Sequence, residues 1–243
     1  MVDEQSLQAD QVPGTDFFPS GTLNQLMALT GLDAQQITNI LGMINGPEQS
    51  KSEWWLTAED EIIYHYAEDI GDGRGVTIGL YGATTGAGYE DANVIWENCG
   101  HPDYGQLSVP EIIAKVHEIA NDPPWWKAQW DAYISTYWEP TLELLQPQGF
   151  RSALTIGALM DTAMNAGLED DDAGHWGVNH LMQQAIVNSP TEPNFLKKFL
   201  ELRLKYPTQN SGNMKKRIGA WQTLLRDNQW DMQVNLSQYC YIP

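Results

Sequence analysis

The sequence predicts a mainly α protein of the α+β class, built as two lobes with a small β element in the N-terminal one and a cleft between them. Three observations lead there. Apolar residues recur at helical spacing through most of the chain after residue 20. The stretch Gly71 to Gly88 holds seven of the 21 glycines, a density that breaks helices and suits tight turns between short strands. The 243 residues, 42% of them hydrophobic, are enough to bury a proper core in one large domain or two small lobes.

Residues 1–20 are polar, with Pro13, Gly14 and Pro19, and read as a tail or wrapping arm. Residues 21–243 read as a single domain of two lobes, the smaller spanning roughly 55–105. Thr22 is placed to cap a helix carrying Leu23, Leu26, Met27 and Leu29. Asp33 caps a second, with Ile37, Ile40, Leu41 and Ile44, which should end at Asn45, Gly46 and Pro47. Thr57 caps a third, whose first turn would hold Glu59, Asp60 and Glu61, where acids favour the helix dipole. The β element falls near 74–85, with Val76 to Tyr81 of strand composition. Helices resume at Val109 to Ile119 and from Trp125 to Leu145 on both sides of Pro140. Arg151 to Gly167 is mostly apolar and reads as a buried central helix. Further helices follow at Val178 to Val187, Phe195 to Leu204 and Met214 to Leu225.

The net charge is −19, and it is uneven. Residues 1–103 carry 17 acids against two bases, Lys51 and Arg74, while seven of the 13 bases lie between Lys197 and Arg217. Such a chain lacks the basic face that a nucleic-acid partner requires, and anionic membranes would repel it. No run approaches the 18 apolar residues of a membrane span. A cationic partner suits the field, although acidity also serves solubility.

The sequence contains neither G-x-S-x-G nor a phosphate-binding G-x-x-x-x-G-K. The five histidines show no H-E-x-x-H spacing, and His175 and His180 are too unevenly spaced for one helical face, so neither a metal nor a cofactor is expected. Cys99 and Cys240 are compatible with one disulfide or with two buried thiols. Carboxylates remain, and glycosidic hydrolysis needs two of them, one protonated and one ionised. Asp72, between glycines in Glu68-Asp-Ile-Gly-Asp-Gly-Arg-Gly-Val-Thr77, is held by backbone where it can face a cleft. The bland alternative is an Asp-Gly turn in which Asp72 bonds its own backbone.

That segment closely resembles the signature of the family 46 glycoside hydrolases, the endo-chitosanases, which share a two-lobed, mostly helical lysozyme-like fold. The resemblance implies that Asp72 is the general base of an inverting hydrolysis and that Thr77 helps to position the water. The family's general acid lies upstream, in a stretch that Gly46-Pro-Glu48-Gln-Ser-Lys-Ser-Glu-Trp54 resembles, so the role falls on Glu48, with Glu53 the competing assignment. The family's buried Arg–Asp–Arg network falls by similarity of context on Asp161, Arg203 and Arg217. Where the family commonly holds substrate amines with an acid, this chain has Tyr89, with Glu90 and Asp91 adjacent.

The expectation that follows is endo-hydrolysis of β-1,4 bonds in chitosan. Arg74 would keep Asp72 charged or bind sugar hydroxyls, Glu68, Glu90 and Asp91 would meet ammonium groups, and Tyr66, Tyr81 and Tyr89 would stack on sugar rings. The alternatives are a lysozyme-type muramidase acting on peptidoglycan, for which the negative charge is ill suited, and an inert binder of a cationic polysaccharide. The chain shows no leader segment, so it is expected to be the mature form of a secreted protein, working as a monomer on chitosan without nucleic acid or membrane.

Overall fold

A computed structural model describes residues 12–86, 91–101, 107–171, 174–187, 189, 191–206 and 212–243, with Asp91 placed by its backbone alone. The architecture is mostly helical around one small antiparallel sheet. Among the described residues no helix is long and apolar enough to cross a membrane.

Helix α1 (Thr22–Thr30) leads to α2 (Ala34–Gln49), where Asp33 and Gln36 form the reciprocal capping box that fixes the start. The α2 face with Ile37, Ile40, Leu41 and Ile44 is buried, as its spacing requires. This helix does not stop at Pro47. It runs on to Gln49 and closes at Ser50 in the left-handed region. A proline costs a helix about 3 kcal/mol where it removes a backbone bond. Tertiary ties override it: Asn45 Nδ2 donates to the carbonyls of Lys51, Glu53 and Leu56, each at 3.0 Å, and so holds the following loop against the last turn.

The helix expected after Thr57 does not form. Thr57 N–H donates to Glu61 O, Asp60 takes φ +63°, and Leu56 bridges Ile62, which makes a tight loop. Ile63 and Tyr64 are both buried, and Tyr64 is held from outside by the bond that its O accepts from Trp125 Nε1. The sheet then forms from β1 (Ala67–Glu68), β2 (Thr77–Ile78) and β3 (Ala83–Thr84), in that order. Its register pairs Glu68 with Thr77 and Thr77 with Thr84. It begins earlier than the 74–85 expected, and its strands are only two residues long because glycines turn the chain at once: Gly71, Gly73, Gly75, Gly79 and Gly82 all have positive φ.

Helices α3 (Asp91–Asn98), α4 (Val109–Ile119) and α5 (Pro123–Tyr133) complete this lobe: α3 packs on α5 and β3, and α4 on β1. One π-helical turn, Ile134–Trp138, joins α5 to α6 (Glu139–Leu145) and absorbs the irregularity just before Pro140. The central helix is α7 (Ala153–Ala166), capped by Ser152 and buried from Ala153 to Ala163. It packs on α2, α6, α8 (Val178–Ile186) and α10 (Gly212–Arg226), with α9 (Glu192–Lys205) between α8 and α10.

Two chain ends finish the core. Phe18 packs on Trp54 and Trp130 at 4.6 and 4.8 Å, and Tyr64 Oη donates to Phe17 O, so the described part of residues 1–20 wraps the small lobe. The C-terminal segment returns over α2, where Asn39 Nδ2 donates to Met232 O and Val234 O. Cys240 Sγ lies against Gly42 O on α2, and Cys99 Sγ against Trp96 O on α3; both are free thiols, so the disulfide is not formed. Trp96, Trp125, Trp130, Trp138 and Trp221 are fully buried, which assigns them to the core.

Candidate active site

A cleft of about 430 Å³ opens between the lobes. One wall is the end of α2, with Leu41, Ile44, Asn45, Glu48 and Gln49. The opposite wall is the sheet and its loops, with Tyr66, Arg74, Thr77 and the turn Gly79–Gly82. Tyr133, Tyr137, Met164 and Asn165 come from the helices between.

Glu48 sits on the last turn of α2 rather than beyond the helix, and its half-exposed carboxylate faces the cleft. Its Oε1 accepts from Arg217 Nη1. Glu53, the competing acid, is exposed, bonds Ser52 Oγ, and does not line the cleft. The fold therefore brings Glu48 into the site and leaves Glu53 out.

Behind Glu48 lies a buried charge network. Asp161 has no exposed surface and accepts from Arg203 Nη1 at 2.6 Å, Arg217 Nε at 2.8 Å and Trp221 Nε1 at 2.9 Å. Burial alone would push the Asp161 carboxyl up, but Arg217 and Arg203 together outweigh it and hold the group below its ordinary value. Arg217 shows the same competition: burial opposes its charge, while Asp161 and Glu48 more than offset that and raise it. One guanidinium thus links the core carboxylate to the cleft carboxylate.

On the other wall, Asp72 lies in the loop from β1 to β2, not after a helix. Its Oδ1 accepts from Arg74 N at 3.0 Å and its Oδ2 from Arg74 Nε at 2.6 Å. The backbone bond from Arg74, then its side chain, hold the carboxyl below the usual carboxylate range, which keeps it ionised in weak acid. Asp72 makes the Asx turn, and its other oxygen is tied to Arg74, which lines the cleft. Asp72 does not itself line the cleft in this conformation. Thr77 does, and its Oγ1 is buried without a hydrogen-bond partner. A buried hydroxyl left unsatisfied in a cleft wall is suited to hold a water.

Tyr66 lines the cleft, and its Oη donates to Glu68 Oε2 at 3.3 Å; burial first, then Glu68, pushes its phenol up to about 12. Glu68 itself is exposed on β1. Tyr89 and Glu90 lie outside the described residues, as does the side chain of Asp91, the first residue of α3.

Two tyrosines that the sequence reading did not single out, Tyr133 and Tyr137, also build the site around Tyr81. Tyr81 stacks on Tyr133 at 5.5 Å and 12°, and meets Tyr137 edge-on at 5.6 Å. Tyr133 and Tyr137 are four apart, on one face of an aromatic-rich segment, which was the available signal. Asn45, Gln49, Met164 and Asn165 had none, because nothing local marks a polar or apolar residue at a helix end as facing a cleft.

The family model for Glycosyl hydrolase family 46 matches residues 106–236. A chitosanase of Niallia circulans is 32% identical over 248 residues, covering 88% of this chain and 78% of that protein. The chain belongs to glycosyl hydrolase family 46. An overlap of that extent necessarily includes the segment from Glu48 to Thr77, which the family model does not reach. A chitosanase of Bacillus subtilis (strain 168) is 26% identical over 165 residues, covering 59% of this chain and 60% of that protein. Among solved structures, the native chitosanase of Bacillus subtilis MY002 superposes with a TM-score of 0.67 at 20% identity, covering 84% of this chain and 94% of that one. The Gynuella sunshinyii family 46 chitosanase, in complex with chitotetraose, gives 0.66 at 21% identity, with coverages of 82% and 92%. These likenesses show that the two-lobed lysozyme-like fold is shared.

Proposed function

We propose that this family 46 chain is an endo-acting chitosanase that hydrolyses β-1,4 bonds between glucosamine units with inversion. The observation that carries the reading is that Glu48, held by Arg217 on one wall of the cleft, faces a wall with Arg74 and Thr77, where Arg74 binds Asp72.

The chemistry follows from that arrangement. Glu48, in its protonated form, gives its proton to the leaving glycosidic oxygen. Asp72 stays ionised through Arg74 and takes a proton from water, which attacks the opposite face of the sugar. Thr77 Oγ1 supplies the hydroxyl that orients this water. An inverting pair stands about 6.5–9.5 Å apart to leave room for the water. Tyr66 and Tyr81 offer aromatic faces to sugar rings, and Glu68 an anion to their ammonium groups; Tyr89, Glu90 and Asp91 are assigned to the same subsites. Asp161, Arg203 and Arg217 act from behind, as the frame that positions Glu48. The cleft is complete within one chain, which suits a monomer, and a polymer of this size is met outside the cell.

Relatives carry the same reading. A Bacillus subtilis MY002 chitosanase variant has been solved with six glucosamine units, and the Gynuella sunshinyii enzyme with chitotetraose. The test is incubation with chitosan, chitin and peptidoglycan, following reducing ends and the first-formed anomer. Chitosan should yield oligomers whose new ends are α. Release from peptidoglycan alone, or β ends, would overturn the proposal.

A further inference from the structure

Resting on the chitosanase reading above, we propose that Gln129 is a positioning residue for catalysis, which sets the water-holding Thr77 and the sugar-facing Tyr81 through the turn between them. Gln129 lies on α5 with no exposed surface. Its Oε1 accepts from Leu80 N at 2.7 Å, across 49 residues of sequence. Leu80 belongs to the Gly79–Gly82 turn that joins β2 to β3, and all four turn residues line the cleft.

The turn lies directly on this side chain. Gly79 has φ +63°, and a Cβ there would overlap the Gln129 amide. One helical turn along α5, on the same face, Tyr133 stacks on Tyr81. Gly79 N–H donates in addition to Tyr66 O at 2.9 Å. The turn is thus tied to α5 at two points and to the cleft wall at a third.

The sheet cannot set this geometry unaided. Each strand is two residues long, and beyond Thr77 and Ile78 the pairing of β2 is continued by the single hydrogen bonds Gly79 N–H to Tyr66 O and Thr85 N–H to Val76 O. Such short ladders are marginal without packing from outside. The amide carries its own cost, because Gln129 Nε2 is buried without a partner. A methionine would fill the same space and remove that unpaired donor, but it would leave Leu80 N–H without its acceptor. Only the bond to Leu80 requires the amide oxygen, and that bond fixes the height of Thr77 and Tyr81 over the cleft.

Two variants test this with chitosan as substrate. Gln129→Met keeps length and volume but removes the acceptor. It should fold and lose about 10- to 100-fold in kcat, since displacements near 1 Å cost that much, while KM moves less than about threefold. Gln129→Glu keeps an acceptor of the same shape while its carboxyl is protonated. The carboxyl oxygen still accepts from Leu80 N–H, so in weak acid, where burial favours the neutral form, it should restore kcat to near wild type, well above that of Gln129→Met. Wild-type kcat and KM in a folded Gln129→Met protein would overturn the proposal, as would a folded Gln129→Glu protein no more active in weak acid than Gln129→Met. A wild-type protein inactive on chitosan would instead sink the functional reading on which this one rests.

Discussion

Replacing Asp161 by asparagine removes one negative charge from between two buried guanidiniums without changing volume. Asp161 takes its bonds from Arg203, Arg217 and Trp221 with no exposure to water. Asparagine offers one acceptor oxygen where the carboxylate offers two, so one arginine loses a bond, Arg203 loses the carboxylate it binds, and Arg217 keeps only Glu48. Removing one partner of a buried ion pair costs about 3–5 kcal/mol, because the remaining charge stays uncompensated. For a chain of this size each kcal/mol moves Tm by about 2–4 °C, so a loss on the order of 6–20 °C is expected. The pH dependence has a definite sign. The folded carboxyl is held below its ordinary value, so its stabilisation is fully present above the unfolded pKa of about 4 and is lost as pH falls through the lower folded value. The gap between wild type and Asp161→Asn in calorimetry should therefore be constant from about pH 5 to 8 and narrow below about pH 4. Activity should fall as well, by about 10- to 100-fold, because Arg217 loses the anchor from which it holds Glu48. A variant that melts within about 2 °C of wild type at pH 6 would refute the reasoning, since 3 kcal/mol cannot hide in that interval.

Asp72→Asn should lose about 10²- to 10⁴-fold in kcat, the usual worth of a general base, with an unchanged melting temperature because the group lies in an exposed loop; a fully active variant would remove Asp72 from the mechanism. Raising salt from about 0.01 to 1 M shortens the screening length from about 30 to 3 Å, so kcat/KM on chitosan should fall, by about tenfold or more, and less on short oligomers; a flat salt profile would reassign the acidic charge to solubility. Phe18→Ala should cost about 3 kcal/mol, the low end for a buried aromatic because the arm can relax, and should raise tryptophan accessibility to acrylamide by freeing Trp54 and Trp130; unchanged stability would show that the arm does not belong to the core.

Much of the local structure followed from the sequence, although Thr22 is the first residue of α1 and Gly21, not Thr22, stands at its N-cap. The cap at Asp33, the apolar face of α2, the buried run of α7 and the glycine-broken hairpin region all follow from patterns within a few residues, and so does the resemblance that singles out Glu48, Asp72 and Thr77. The tertiary structure decided what depends on partners beyond one helical turn of chain. Helix α2 outlasts Pro47 because Asn45 binds three carbonyls of the next loop. Thr57 opens no helix, because Ile63 N–H bonds back to Trp55 O and Tyr64 O is taken by Trp125 of α5. Glu48 rather than Glu53 faces the cleft because Arg217, 169 residues away, reaches it. Tyr133 and Gln129 meet the sheet turn only once α5 has docked on it. The physical reason is one of range. Capping, dihedral preference and hydrophobic period act over one or two turns of chain, whereas a cleft is assembled from contacts whose cost and gain are set only when the lobes close on one another.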